Sequence, residues 1–190
     1  SAPAVTSPPA AAPRIEAGGP VIPLVGAQET NSPWGFENRL IPALKALGCT
    51  VISTDFRKMR DRLPELLRTP ADLLLVCKGE WIEPRWIRQA PCTTALWYAE
   101  QVGLPGRSDE TAEERRKELA FNIAAFDHVF SHDEGNLDVY RALGARSASW
   151  LPTAIVDPEI HRPLGLPKDI DVIFVGSMTP RRKAMLDAIR

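Results

Sequence analysis

The run Leu73, Leu74, Leu75, Val76, Cys77 has no polar break; Asp72 precedes it, and Lys78 and Gly79 follow. A strand that is apolar at every position must be covered on both faces, as in parallel sheets with crossover helices above and below. Related apolar runs recur at 21–27, 49–54, 93–99, 127–131 and 147–151. Between them lie segments with helical character at 34–47, 58–67, 84–89, 111–125 and 134–143, and Gly48 and Gly144 close two of these. Strands alternating with helices predict an α/β fold: a doubly wound, parallel, Rossmann-like sheet with helices on both faces. The expected strand order is 3-2-1-4-5-6. Ligands then sit beyond the carboxyl ends of the strands, at the switch point between the first and fourth. This nominates the loops 28–35 and 100–105, flanked by Lys78, Gly79 and Glu80 after the third strand and by His132 and Asp133 after the fifth.

Domain organisation follows from composition shifts. Residues 1–19, rich in Ala and Pro, read as a flexible tether to an upstream domain, and 20–152 as the sheet domain. Residues 153–169, with Pro158, Pro163 and Pro167, read as a hinge, and 170–190 as the first strand and helix of a truncated second domain. In that last piece the apolar run 170–175 leads into Gly176, Ser177 and the cations Arg181, Arg182 and Lys183. Thr179 is the expected helix N-cap and Pro180 the first helical residue. A glycine turn opening a helix that carries cations suits a phosphate. The plainer alternative is a solvated helix face, although cations in a first turn oppose the helix dipole.

A net charge of −1 over 190 residues gives no general attraction to nucleic acid or membrane, so any ligand site is local. The three cysteines, Cys49, Cys77 and Cys92, are odd in number and lack CxxC spacing, which predicts reduced core thiols, no bound metal and a cytoplasmic location. No apolar run approaches the roughly 20 residues that span a bilayer, and no signal-peptide pattern is present. The loop AQETNSPWGFE after the first strand lacks GxGxxG, and GxxxxGK[ST] is missing, which argues against dinucleotide and P-loop chemistry. Asp55 ends the second strand, where a dinucleotide enzyme keeps its ribose-binding acid; capping and solvation account for it here. With Arg57 and Lys58 it forms a charged corner.

Several motifs follow one another in order: Trp34-Gly35 before a long helix, Asp55-Phe56-Arg57-Lys58, Leu75-Val76-Cys77-Lys78-Gly79-Glu80, and Leu96-Trp97-Tyr98-Ala99-Glu100. Then come Phe126-Asp127-His128-Val129-Phe130-Ser131, Trp150-Leu151-Pro152, and Asp171-Val172-Ile173-Phe174-Val175-Gly176-Ser177. With these the chain, over 21–190, resembles the N-terminal half of a CgeB-like (spore maturation protein) glycosyltransferase. The sharpest part is DVIFVGS followed by PRRK. The resemblance implies a two-domain GT-B enzyme, with an acceptor-side N-terminal domain, a donor-binding C-terminal domain and catalysis in the cleft between them. It implies a nucleotide-sugar donor, a carbohydrate or glycosylated acceptor, and no metal or other cofactor.

In such an enzyme Gly176, Ser177 and one of Arg181, Arg182 or Lys183 would receive the leaving diphosphate, and Gly35 would let the first domain approach it. Glu100 and Glu80, at strand ends, are candidate general bases. Family members tend to carry an acidic pair where this chain has Glu100-Gln101. Trp34 and Trp81 are candidate sugar-facing aromatics, and His132 a phosphate or acceptor contact. Lys78 would bind an anionic acceptor or pair with Glu80. Trp97 reads as core, His128 as structural and His161 as hinge packing. Two other readings stand beside this one: a non-catalytic binding or scaffolding module derived from a glycosyltransferase, and a different doubly wound enzyme with a phosphate-bearing substrate, such as an epimerase or phosphotransferase.

Overall fold

The computed structural model describes residues 18–29, 35–57, 63–79, 82–102, 110–153, 161–167, 169–176 and 178–189. Strands β1 (Val21–Gly26), β2 (Thr50–Asp55), β3 (Leu73–Cys77), β4 (Thr93–Tyr98), β5 (His128–Ser131) and β6 (Ala148–Trp150) form one all-parallel sheet. Connecting them are α1 (Phe36–Ala46), α2 (Leu63–Leu66), α3 (Pro84–Arg88), α4 (Glu110–Asn122) and α5 (Leu137–Ala142). A 3-10 turn, Ile123–Ala125, extends α4, and another, Glu134–Asn136, introduces α5. The expected α/β class is therefore the observed one.

The strand order differs from the expected one. It runs β2-β1-β3-β4-β5-β6, so β3 lies between β1 and β4, and β2 takes the edge. Burial supplies the reason. The last four residues of β3 are buried, whereas β2 exposes Thr50, Ile52 and Ser53. An unbroken apolar strand needs neighbours on both sides and cover on both faces, which the expected order would have denied β3.

Side chains alternate between two cores. On one face Ile22, Leu24, Leu75, Cys77, Ala95 and Trp97 pack against Leu40 of α1, with Phe36, Ile41 and Leu44 at the margin. The Phe36 ring meets Trp97 edge-on at 4.6 Å, so Trp97 is the core residue its strand position predicts. On the other face Val25, Leu74, Val76, Leu96, Tyr98 and Val129 pack against Leu67, Ile87, Leu119, Ile123, Phe126 and Tyr140. Each fully buried Leu, Ile, Val or Phe contributes about 1.5–3 kcal/mol of transfer free energy. Since α1 lies on one face and the later helices on the other, the sheet reverses between β1 and β3.

Beside the amino ends of β4 and β5, Asp127 Oδ2 accepts hydrogen bonds from Thr94 N and Oγ1, both at 2.9 Å, while Thr94 Oγ1 accepts from Asp127 N at 3.0 Å. The Thr94 backbone donor is the main cause holding the Asp127 carboxyl below its usual range; the Thr94 hydroxyl and Arg146 add to it against slight burial. Cys77 is buried and Cys49 and Cys92 are half-buried, all three free, so a fully core thiol describes Cys77 alone. No helix among the described residues is long and apolar enough to cross a membrane.

The chain divides into two units, Ser1–Val156 and Asp157–Arg190. In the second, the expected strand at 170–175 does not form: the residues make no ladder, and Ile170, Val172, Ile173 and Val175 are exposed. A parallel strand requires a neighbour, and the described residues of this unit offer none. The helix α6 (Pro180–Asp187) does form, with Thr179 Oγ1 accepting from Arg182 N at 3.3 Å and proline in the first turn. His161, expected to pack in the hinge, is exposed.

Candidate functional site

The reversal between β1 and β3 moves the switch point away from the fourth strand, and Lys78, expected only as a flank, stands beside it. Gly26 is the last residue of β1. A Cβ there would lie 2.7 Å from Glu37 Cγ, and Glu37 is buried with Oε1 accepting from Ala27 N at 3.1 Å. This bond draws the first turn of α1 onto the end of β1. Asp55, expected as a solvated cap, is fully buried instead; Oδ2 accepts from Glu29 N at 2.8 Å and Oδ1 from Arg57 N at 2.9 Å. It braces the loop after β1 against the end of β2. Between these braces Gln28 is 8% exposed, and its amide has no hydrogen-bond partner among the described residues.

After β3, Lys78 adopts φ 60°, a left-handed conformation that costs a non-glycine residue about 1 kcal/mol. Gly79 follows because a Cβ there would collide with Val76 Cγ1. Buried Asn122 then pins this loop, its Nδ2 donating to the carbonyls of Gly79 at 2.6 Å and Ile82 at 2.9 Å. Lys78 Nζ meets Glu100 Oε1 at 3.0 Å, and Arg115 Nη2 meets Glu100 Oε2 at 2.9 Å. Among the described residues the partner of Lys78 is therefore Glu100; Glu80, its expected partner, lies outside them. Burial pushes the Glu100 carboxyl up, but the Lys78 hydrogen bond, the Lys78 charge and the Arg115 charge outweigh it and hold it below the usual carboxylate range.

Asn136, which sequence reasoning missed, joins the loops after β4 and β5. It is fully buried; Nδ2 donates to the Glu100 carbonyl and to Ser131 Oγ, both at 3.0 Å, and Oδ1 accepts from Val102 N at 2.9 Å. Nothing in its sequence position distinguishes it from an ordinary turn asparagine. His132 follows β5 directly; its carbonyl accepts from Trp150 Nε1 at 3.1 Å, and its buried Nδ1 has no partner among the described residues. Gln28, Lys78, Glu100 and His132 therefore stand just past the carboxyl ends of β1, β3, β4 and β5, which are consecutive in the sheet. Along the row a partly exposed carboxylate carries two cations, the second being Arg115 of α4, and a buried amide and a buried imidazole nitrogen lack partners among the described residues; the charged groups can orient a polar ligand.

Other nominated residues are distributed differently. Gly35 occupies the N-cap of α1 at φ −58°, an ordinary helix start open to any residue. Trp34, Trp81, Glu80, Ser177 and Lys58 lie outside the described residues. His128 is exposed at the start of β5, its ring stacked 6.3 Å from that of Phe130. In the second unit Gly176 has φ 152°, and a Cβ on it would lie 3.3 Å from Phe174 Cζ and 3.6 Å from Arg182 Nη1. The Arg182 guanidinium sits 5.5 Å from the Phe174 ring centre, Lys183 pairs with Asp187 one turn on, and Arg181 is exposed. Among the described residues no group of three or more His, Cys, Asp or Glu side chains converges as a metal site. No protein-family model matches the chain, and a search of curated proteins finds no match.

Proposed function

We propose that the chain is the N-terminal, acceptor-side part of a cytoplasmic GT-B glycosyltransferase, transferring a sugar from a nucleotide-sugar donor to a hydroxyl of a carbohydrate or glycosylated acceptor without a metal. The observation that carries this reading is the polar row Gln28, Lys78, Glu100, His132 along the carboxyl edge of a parallel sheet, two members of which, Lys78 and Glu100, lie in the motifs through which the chain resembles CgeB-like enzymes. In transfer the bond from the anomeric carbon to the diphosphate oxygen breaks with its electron pair, a bond to the acceptor oxygen forms, and the hydroxyl proton passes to a base. Glu100 is ionised at neutral pH, as a base must be, but its two cations weaken its pull on a proton. In this reading Gly176, Ser177 and Arg182 or Arg181 receive the diphosphate, and Trp34, Trp81 and Glu80 complete the acceptor side.

The engagement of both Glu100 oxygens also favours a second reading, a non-catalytic binding module on the same fold. A thermal-shift panel of nucleoside diphosphates and nucleotide sugars against the natural full-length protein separates the two. A ligand at 100 times its Kd stabilises by about 2.7 kcal/mol, a Tm rise of about 5–10 °C for a domain of this size. One nucleotide series giving that rise supports the glycosyltransferase; a flat response across the panel removes it.

A further inference from the structure

The clamp on Glu100 is built more firmly than a chance surface ion pair. Its two carboxylate oxygens are taken by different cations, and the three side chains stay between 30% and 39% exposed, within reach of solvent. A buried asparagine fixes each loop that carries the pair: Asn122 holds the Gly79 carbonyl next to Lys78, and Asn136 holds the carbonyl of Glu100 itself. Arg115 Nη1 adds a bond to the Gln101 carbonyl at 3.3 Å. Lys78 keeps a left-handed backbone where glycine would be less strained, so the site draws on its side chain rather than on a turn residue. Beside the clamp, the buried Nδ1 of His132 has no hydrogen-bond partner among the described residues. Lysine on one oxygen and arginine on the other is how proteins hold a bound carboxylate or phosphate. Here the chain's own Glu100 fills that place.

We propose that Lys78 and Arg115 form a binding site for an anionic group of the acceptor, a carboxylate or a phosphate, and that Glu100 is its resident occupant, displaced when the acceptor arrives. That the anion belongs to an acceptor rests on the glycosyltransferase reading; the anion site does not. The exchange keeps one anion on the two cations throughout. It also releases Glu100 from them beside the incoming group, where a carboxylate next to another anion is more basic and can take the acceptor's hydroxyl proton.

Titration calorimetry on the full chain at fixed low ionic strength tests this, with D-glucuronate and inorganic phosphate as probes and D-glucose as the neutral control. Removing the internal competitor in Glu100→Gln or Glu100→Ala should tighten anion binding about two- to fivefold, the range of one partly exposed ion pair. Lys78→Gln and Arg115→Gln should weaken it about as much, and the gain should vanish in the Lys78→Gln/Glu100→Gln double variant. Which of the two anions responds identifies the acceptor group, and glucose should respond in no variant. Glutamate variants that bind no tighter than wild type, a double variant that keeps the gain, or failure of both glutamate variants to fold by circular dichroism would each overturn the proposal. A chain that shows the anion pattern while no nucleotide sugar shifts its Tm keeps the anion site and loses the glycosyltransferase.

Discussion

Asn136 holds the candidate site together, and its removal should be costly. Its side chain is fully buried and satisfies the Val102 N–H and the Glu100 carbonyl, besides bonding Ser131 Oγ. Asn136→Ala leaves two backbone groups with no partner, each costing about 1–3 kcal/mol, so the loss should be about 3 kcal/mol. Against a total stability of about 5–15 kcal/mol, that is a large fraction. It should lower Tm by about 6–12 °C for a domain of this size. Urea denaturation is the assay: the midpoint should fall while the slope m stays at the wild-type value. Asn136→Leu restores apolar volume but neither hydrogen bond, so it should destabilise as much as alanine. A leucine variant within about 0.5 kcal/mol of wild type would show that packing, not polar satisfaction, is what the position supplies.

Lys78→Gly and Lys78→Ala both remove the ion pair with Glu100, but only glycine relieves the left-handed backbone, so the glycine variant should be more stable by about 1 kcal/mol in urea. Asp127 has a folded-state carboxyl below its unfolded value of about 3.9, so its stabilisation is complete above that pH and lost as pH falls through the lower folded value. Asp127→Asn should therefore lower Tm at pH 7 and flatten the fall of Tm below pH ~4; an unchanged acid slope would refute the assignment. Burial pushes the Cys77 thiol up, with Glu37 adding to it, so a thiol reagent should label Cys49 and Cys92 in the native protein and reach Cys77 only on unfolding. Native labelling of Cys77 at the rate of the other two would contradict its place in the core.

The α/β class was legible because each strand carries its own apolar run and each long helix its own spacing. The strand order was misread although a signal for it was present: Leu73 to Cys77 cannot be an edge strand, whereas β2, with polar Thr50, Ser53 and Thr54, can. Lys78, Glu100 and His132 could be nominated because they are polar residues just past strand ends. Their pairing could not, since Arg115 comes from a helix more than a dozen residues beyond Glu100 in a sequence full of similar charges. Asn122 and Asn136 are invisible for a different reason: a buried asparagine and a solvated one look alike until tertiary partners are known. The apolar run at 170–175 misled because periodicity reports burial potential, and a strand also needs a neighbour to bond.

The most direct test of the functional account is release of nucleoside diphosphate from a panel of nucleotide sugars by the natural full-length protein, with and without anionic and neutral acceptors, in wild type and Lys78→Gln. The account predicts turnover with one donor series, dependent on an anionic acceptor, and a kcat/KM for that acceptor lowered about tenfold or more in the variant. Absence of turnover with every donor, or turnover that the Lys78 substitution leaves untouched, would contradict it.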